Sequence, residues 1–145
     1  FFPAMKEREQ GYILNIASTA AFQAGPHMAV YFATKAFVLH FSEALAVEVK
    51  PHGISVTAHC PGATESDFGI TSGNADSLLF ALGSMSSKEV AVHALESTFR
   101  KRRIAVPGWR NWGQTILIRF VPRALVAFAV SHVNRPLPKK LSPKN

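Results

Sequence analysis

Tyr31 and Lys35 stand four positions apart in the stretch YFATK, and on a helix that spacing puts both side chains on one face. A phenol with an ordinary pKa of about 10 is a poor base near neutrality; a neighbouring ammonium favours its phenolate and brings it closer to working pH. The pair alone says little, because any amphipathic helix can hold Y-x-x-x-K. Two further features give it context. Ser18, thirteen positions before Tyr31, closes a short apolar run, and Pro61-Gly62 cuts off a second one. In an open parallel sheet, ligands sit beyond the carboxyl ends of strands, where a loop leads into a helix, so these residues are expected to face one crevice. A hydroxyl, a phenol and an ammonium around a crevice are parts for moving a proton to or from a substrate oxygen.

The elements that must position them follow from periodicity and breakers. Residues 4–10 read as the charged end of a helix stopped at Gly11. Residues 12–18 form an apolar run with β-branched members, suited to a strand buried on both faces. Gly25-Pro26 marks a loop. From 29 to 49 the pattern turns helical, with Val30, Ala33, Phe37, Phe41, Ala44, Leu45 and Val49 recurring at three- and four-residue intervals before Pro51 and Gly53. Residues 54–60 give a second strand. Residues 63–86 read as a loop with a short helix near Asp76 to Leu82. A helix over 88–100 starts behind Ser87, and a short strand follows at 104–106. Residues 109–133 hold two apolar segments divided by Pro122, as one kinked helix or two short ones. The proline- and lysine-rich end, 134–145, is expected to be disordered. This order is the strand–helix alternation of an α/β fold with a parallel sheet.

The chain has 145 residues, room for one domain with a real core. Its 48% hydrophobic and 17% charged content excludes a disordered chain. The net charge of +7 would suit nucleic acid, an anionic membrane or a phosphorylated ligand, and does not choose among them. Cys60 is the single cysteine, so it forms no internal disulfide, and a reducing compartment is expected. No run of about eighteen apolar residues stands out as a membrane span. The chain opens on Phe1-Phe2-Pro3 rather than Met, from which a missing front end is expected.

The three motifs GYILNIAS, YFATK and HCPGATESDF, in this order and spacing, resemble the C-terminal half of a short-chain dehydrogenase/reductase. The cluster VPGWRN with RFVPR further resembles the DltE-like branch of that family. The resemblance implies the later part of a Rossmann-type doubly wound parallel sheet over residues 1–133, with 65–86 as substrate loop and 109–133 as C-terminal helices. It implies Tyr31 as general acid/base, Lys35 as its electrostatic partner and Ser18 as the donor that orients a carbonyl. Tyr31 and Lys35 would also meet the ribose of NADP or NAD, with NADP favoured by the resemblance. Pro61, Gly62, Thr64 and Ser66 would lie along the nicotinamide carboxamide, Gly62 permitting close backbone approach. The substrate would be a carbonyl/alcohol pair, of lipophilic character by the apolar content of the loop and tail. The location expected is cytoplasmic, and helix 29–49 would supply an oligomer contact. The family's glycine-rich pyrophosphate turn and its residue selecting NAD or NADP belong upstream of Ala4, so this chain alone is expected to be inactive. The alternative is a truncated relative serving as a binding or membrane-surface module.

Other candidates are weaker. The six histidines show no H-x-x-x-H or H-E-x-x-H spacing, so no metal site is expected and they read as scattered surface or half-buried residues. His27 lies between Ser18 and Tyr31, where it would border the substrate mouth or serve only as a loop residue. Cys60 reads as a small core residue, with His59 pointing to the opposite face of the strand. The run Arg100 to Arg103 suits a helix C-terminus. The phenylalanines follow helical spacing rather than a basic–aromatic platform, so nucleic acid is not an expected partner. In 109–133, Trp109, Trp112, Ile116 and Phe120 beside Arg110, Arg119 and Arg123 suit a peripheral membrane contact, a lid over the substrate or a protomer contact.

Overall fold

The computed structural model describes residues 1–65 and 83–135. A short helix α1 (Phe2–Glu7) leads into strand β1 (Gly11–Ile16), a 3-10 turn (Thr19–Phe22) and the long helix α2 (Ala29–Val49). Strand β2 (Ile54–His59) follows, then the short strands β3 (Thr64–Glu65) and β4 (Met85–Ser86). Helix α3 (Ser87–Phe99), strand β5 (Ile104–Ala105), helix α4 (Trp109–Leu117) and helix α5 (Arg123–Asn134) complete the described chain.

The main sheet is parallel in the order β1-β2-β5, with Gly11 beside Ile54 and Ile16 beside His59. Alternation along β2 sends its two faces to different helices. Val56 and Ala58 pack under α2 against Val49 and Leu39, while His59 turns toward His93 of α3. Both faces are thus covered, as in a doubly wound α/β sheet. Backbone bonds continue the ladder past β1: Ala17 N–H donates to His59 O at 2.8 Å and Thr19 N–H to Pro61 O at 2.9 Å. This register brings Ser18 beside the Pro61 loop.

Helix α2 matches its expected bounds. Of its periodic apolar residues, Phe37 and Phe41 are 69% and 51% exposed, and Val30 points outward as well. The buried positions are Phe32, Leu39, Ser42, Ala46 and Val49. The helix is apolar on both sides, so spacing alone does not choose a face. Small residues choose it: Ser42 lets the helix approach β1, where Asn15 Nδ2 donates to Ser42 Oγ at 2.9 Å. Outside, Phe37 and Phe41 stack with ring centroids 5.9 Å apart. The stretch Ala29–His52 does reach the length and a mean hydropathy of 1.2 compatible with a membrane span. Its seam of Leu39, Ala46 and Val49 packs against the sheet, while most of its remaining apolar surface is exposed.

Other boundaries shift by a residue. The α3 cap is Ser86 rather than Ser87, in a reciprocal box where Ser86 Oγ accepts from Glu89 N–H and Glu89 accepts from Ser86 N–H. Residues 109–133 form two helices, α4 and α5, because Pro122 has no N–H to continue the first and instead opens the second. The two-residue parallel pair β3–β4 was not foreseen. The short helix expected near Asp76 to Leu82 and most of the expected tail lie outside the described residues.

Gly53 turns the chain from α2 into β2 with φ +69°, and a Cβ there would run into the carbonyl oxygen of Glu9. Gly53→Ala is therefore expected to destabilise the fold by about 2 kcal/mol through strain and displacement of the α1–β1 turn. Urea unfolding followed by circular dichroism reads this as a lower midpoint with an unchanged slope.

Candidate active site

Ser18 follows directly on the carboxyl end of β1 and caps the 3-10 turn: its Oγ accepts from Ala20 N–H at 3.1 Å. The same hydroxyl donates to Pro61 O at 3.3 Å, a long bond that a better acceptor can replace. Tyr31 lies in the first turn of α2, half-buried against the apolar cluster of Ala20, Phe32 and Val130. One turn on, Lys35 Nζ donates to Ile16 O at 2.9 Å and lies 5.8 Å from the centroid of the Tyr31 ring. Burial pushes the Lys35 pKa below the ordinary lysine value, with the nearby Cys60 acting weakly the other way. The strand end thus holds the ammonium beside the phenol.

Ser18, Tyr31 and Lys35 line one cavity of about 880 Å³. Its other walls come from Pro61 to Thr64, from Trp109, Arg110 and Asn111 at the start of α4, and from Val130 and Asn134 of α5. Three of the cofactor-loop residues singled out in the sequence, Pro61, Gly62 and Thr64, border this space. Pro61 O receives the bonds from Thr19 and Ser18, and Thr64 Oγ1 donates to Gly62 O at 3.1 Å. Ser66 lies outside the described residues.

Gly62 does permit a close approach, but in this structure the neighbour is Asn111: a Cβ on Gly62 would sit 2.8 Å from its amide. Asn111 Nδ2 donates to Pro107 O at 2.9 Å, which fixes the start of α4 over the loop. Arg110 and Asn111 fall within the VPGWRN cluster, but nothing in the sequence placed them at this cavity. His27 does not border the cavity; its Nε2 meets Ser131 Oγ of α5 at 3.3 Å. Asn134 closes the same contact by donating to Pro26 O at 3.1 Å.

His59 corrects the reading of the histidines as surface or half-buried residues. It is fully buried, its Nε2 is 3.0 Å from His93 Nδ1, and its own Nδ1 finds no partner among the described residues. Burial first, and then His93, lowers its pKa to about 4. The unfolded chain therefore binds this proton before the folded one does. Stability is full above an unfolded pKa of about 6.5 and drains by roughly 3 kcal/mol as pH falls toward about 4. Urea midpoints between pH 7.5 and 4.5 check this, and His59→Phe is expected to flatten the slope. Cys60, also buried, has its thiol pushed up to about 12 by burial and is no nucleophile near neutrality. Among the described residues, no group of three His, Cys, Asp or Glu is placed to hold a metal ion.

Parallel strands with helices on both faces, and a polar trio beyond their carboxyl ends, define a Rossmann-type α/β protein. Residues 1–76 match the short chain dehydrogenase family, and the chain belongs to that family. Among curated relatives, it is 48% identical over 61 residues to a protein of Streptomyces virginiae assigned as the ketoacyl reductase of the monensin polyketide synthase. That match covers 42% of this chain and 23% of the relative. It is 46% identical over 59 residues to the very-long-chain 3-oxoacyl-CoA reductase of Anas platyrhynchos, covering 41% of this chain and 19% of the relative. A solved short-chain dehydrogenase from Sphingobium yanoikuyae, in complex with NADPH, superimposes with a TM-score of 0.63 at 27% identity. It covers 84% of this chain, which in turn spans about half of that structure.

Proposed function

We propose that this chain is the catalytic, C-terminal half of an NAD(P)-dependent oxidoreductase that interconverts a carbonyl and an alcohol. The observation that carries the reading is the convergence of Ser18, Tyr31 and Lys35 on one cavity, with Lys35 Nζ held beside the phenol by Ile16 O. The residues present fit the nicotinamide–ribose end of a dinucleotide: an ammonium and a phenol suit ribose hydroxyls, and the Pro61 to Thr64 backbone suits a carboxamide. No glycine-rich pyrophosphate turn occurs in the sequence, so that cradle belongs to the remainder of the enzyme, without which the chain is inactive.

Bound there, the nicotinamide supplies or accepts hydride. Tyr31 gives its proton to the carbonyl oxygen as the alcohol forms and takes it back in the reverse direction. Ser18 turns its hydroxyl from Pro61 O to that oxygen as negative charge develops, exchanging a 3.3 Å bond for a shorter, charge-assisted one. Lys35 favours the phenolate and holds the ribose. NADP is the favoured cofactor, in keeping with the NADPH-bound relative.

The substrate is a lipophilic carbonyl compound, in keeping with the 3-oxoacyl-CoA reductase among the relatives and with the apolar floor of Ala17, Ala20, Phe32 and Val130. Within the family, the DltE-like branch suits the clusters VPGWRN and RFVPR. The outward Phe37–Phe41 stack on α2 suits a contact with a second copy. The location is cytoplasmic, with peripheral membrane contact through 109–133. A second reading, a non-catalytic membrane-surface module, draws on that same apolar and basic segment.

Oxidation of NADPH and NADH by the complete protein, followed by absorbance across a panel of ketones and 3-oxoacyl thioesters, separates the two. Carbonyl-dependent oxidation is expected; no oxidation with either cofactor across the panel would leave only the second reading.

A further inference from the structure

Helix α4 is amphipathic with its polar side inward. Thr115 is 4% exposed, Asn111 bonds to Pro107 O over the Gly62 loop, and Gln114 lines the cavity. Outward point Trp112 and Leu117, while Trp109, 83% exposed, stands at the edge between that face and the cavity it also borders. Exposed apolar side chains follow at Phe120, 81% exposed, and at Leu125 and Phe128 of α5. Exposed large apolar side chains so concentrated within one short segment mark a contact site.

Charge says what it contacts. Glu96 is the last acidic residue of the sequence, and the 49 residues after it hold eleven of the sixteen Lys and Arg. The first 96 residues hold the remaining five against all nine acidic residues. The positive surplus therefore belongs entirely to the part of the chain that bears the exposed apolar face. Arg119 and Arg123 flank Phe120, and Arg135 follows α5, all three exposed. Indole rings with arginines around an aliphatic face have the composition of an interfacial segment.

We infer that α4 and α5 dock the protein on an anionic phospholipid bilayer, with α4 as the wall between that surface and the catalytic cavity. The outer face of α4 meets lipid while its inner face borders the space of Tyr31 and Ser18. A carbonyl lipid that partitions into the bilayer is then the substrate class that this wall serves. That last clause rests on the proposed oxidoreductase function; the docking does not.

Trp112 lies on this surface and Trp109 at its edge with the cavity, so the difference in emission between the protein and its Trp112→Phe variant isolates the report from this face. Intrinsic fluorescence of the full protein is titrated with phosphatidylcholine vesicles, with and without phosphatidylglycerol. A blue shift that saturates with the phosphatidylglycerol vesicles, and is much weaker without it, is expected. Arg119→Glu with Arg123→Glu is expected to weaken that binding about tenfold or more. Phe120→Ser, which leaves charge intact, is expected to weaken it with both vesicle types.

Unmoved emission with anionic vesicles overturns the inference, as does equal binding by the charge-reversed protein. So does a lipid-free blue shift that grows with protein concentration and vanishes on dilution, since the face would then belong to a second copy. NADPH and NADH oxidation across the panel of ketones and 3-oxoacyl thioesters, assayed in parallel without vesicles, keeps the two readings apart. Lipid binding without turnover refutes the oxidoreductase alone, and turnover without lipid binding refutes the docking alone.

Discussion

Tyr31→Phe in the complete protein is expected to lower kcat about a thousandfold, with little change in KM for the carbonyl substrate. The substitution removes one oxygen and leaves the ring, which packs in the cluster of Ala20, Phe32 and Val130. Folding should be preserved, and thermal unfolding of the variant tests that. On the proposed mechanism, the lost function is the proton that reaches the carbonyl oxygen as hydride reaches its carbon. Ser18 does not replace it, because an alcohol held at a strand end is a far weaker acid than a phenol beside an ammonium. Steady-state kinetics check this, and turnover within a few-fold of the parent would remove Tyr31 from the chemistry.

Lys35→Met is expected to cost roughly a hundredfold or more in kcat/KM, divided between kcat and the KM for the nicotinamide cofactor. Methionine keeps the length and apolar stem of lysine but has no charge to favour the phenolate and no donor for Ile16 O or a ribose. The split between kcat and the KM for the cofactor is a readout that packing loss alone would not give. Lys35→Arg should rescue poorly, because the longer planar guanidinium does not fit the site where Nζ meets Ile16 O at 2.9 Å. Full rescue by arginine would show that charge alone, without that placement, is sufficient.

The meeting of Ser18, Tyr31 and Lys35 at one cavity was legible because it depends on local rules: i to i+4 spacing on a helix, and the end of an apolar strand marked by a hydroxyl. The α/β order was legible for the same reason, since the bounds of α2 follow from Pro51 and Gly53 and those of β2 from Pro61-Gly62. What escaped depends on tertiary partners. Which face of α2 is buried was not legible because both of its sides are apolar, and close approach at Ser42 decided between them. His59 looked like one of several scattered histidines. Its burial comes from being on the α3 side of the central strand, opposite His93. Gly62 was read toward a ligand, yet its nearest demand is room for Asn111, nearly fifty residues away in sequence. The pairing of β3 with β4 joins segments on either side of residues 66–82, and no local pattern announces it.

The inverted face of α4 was visible only in part. Its tryptophans and arginines drew notice in the sequence, but which side they occupy followed from seeing Thr115 and Asn111 turned inward. The same structural fact ties the surface to the cavity, because a single helix borders both.

The most direct test of the central claim is the fate of a labelled hydride. The complete protein is incubated with NADPH carrying deuterium at C4 of its nicotinamide, on the face from which it is transferred, and a ketone it reduces. The product alcohol is then examined by mass spectrometry and proton NMR. One deuterium on the carbinol carbon, formed at wild-type rate and suppressed about a thousandfold in Tyr31→Phe, is the predicted result. An unlabelled carbinol carbon, or equal label transfer by both proteins, would contradict the assignment.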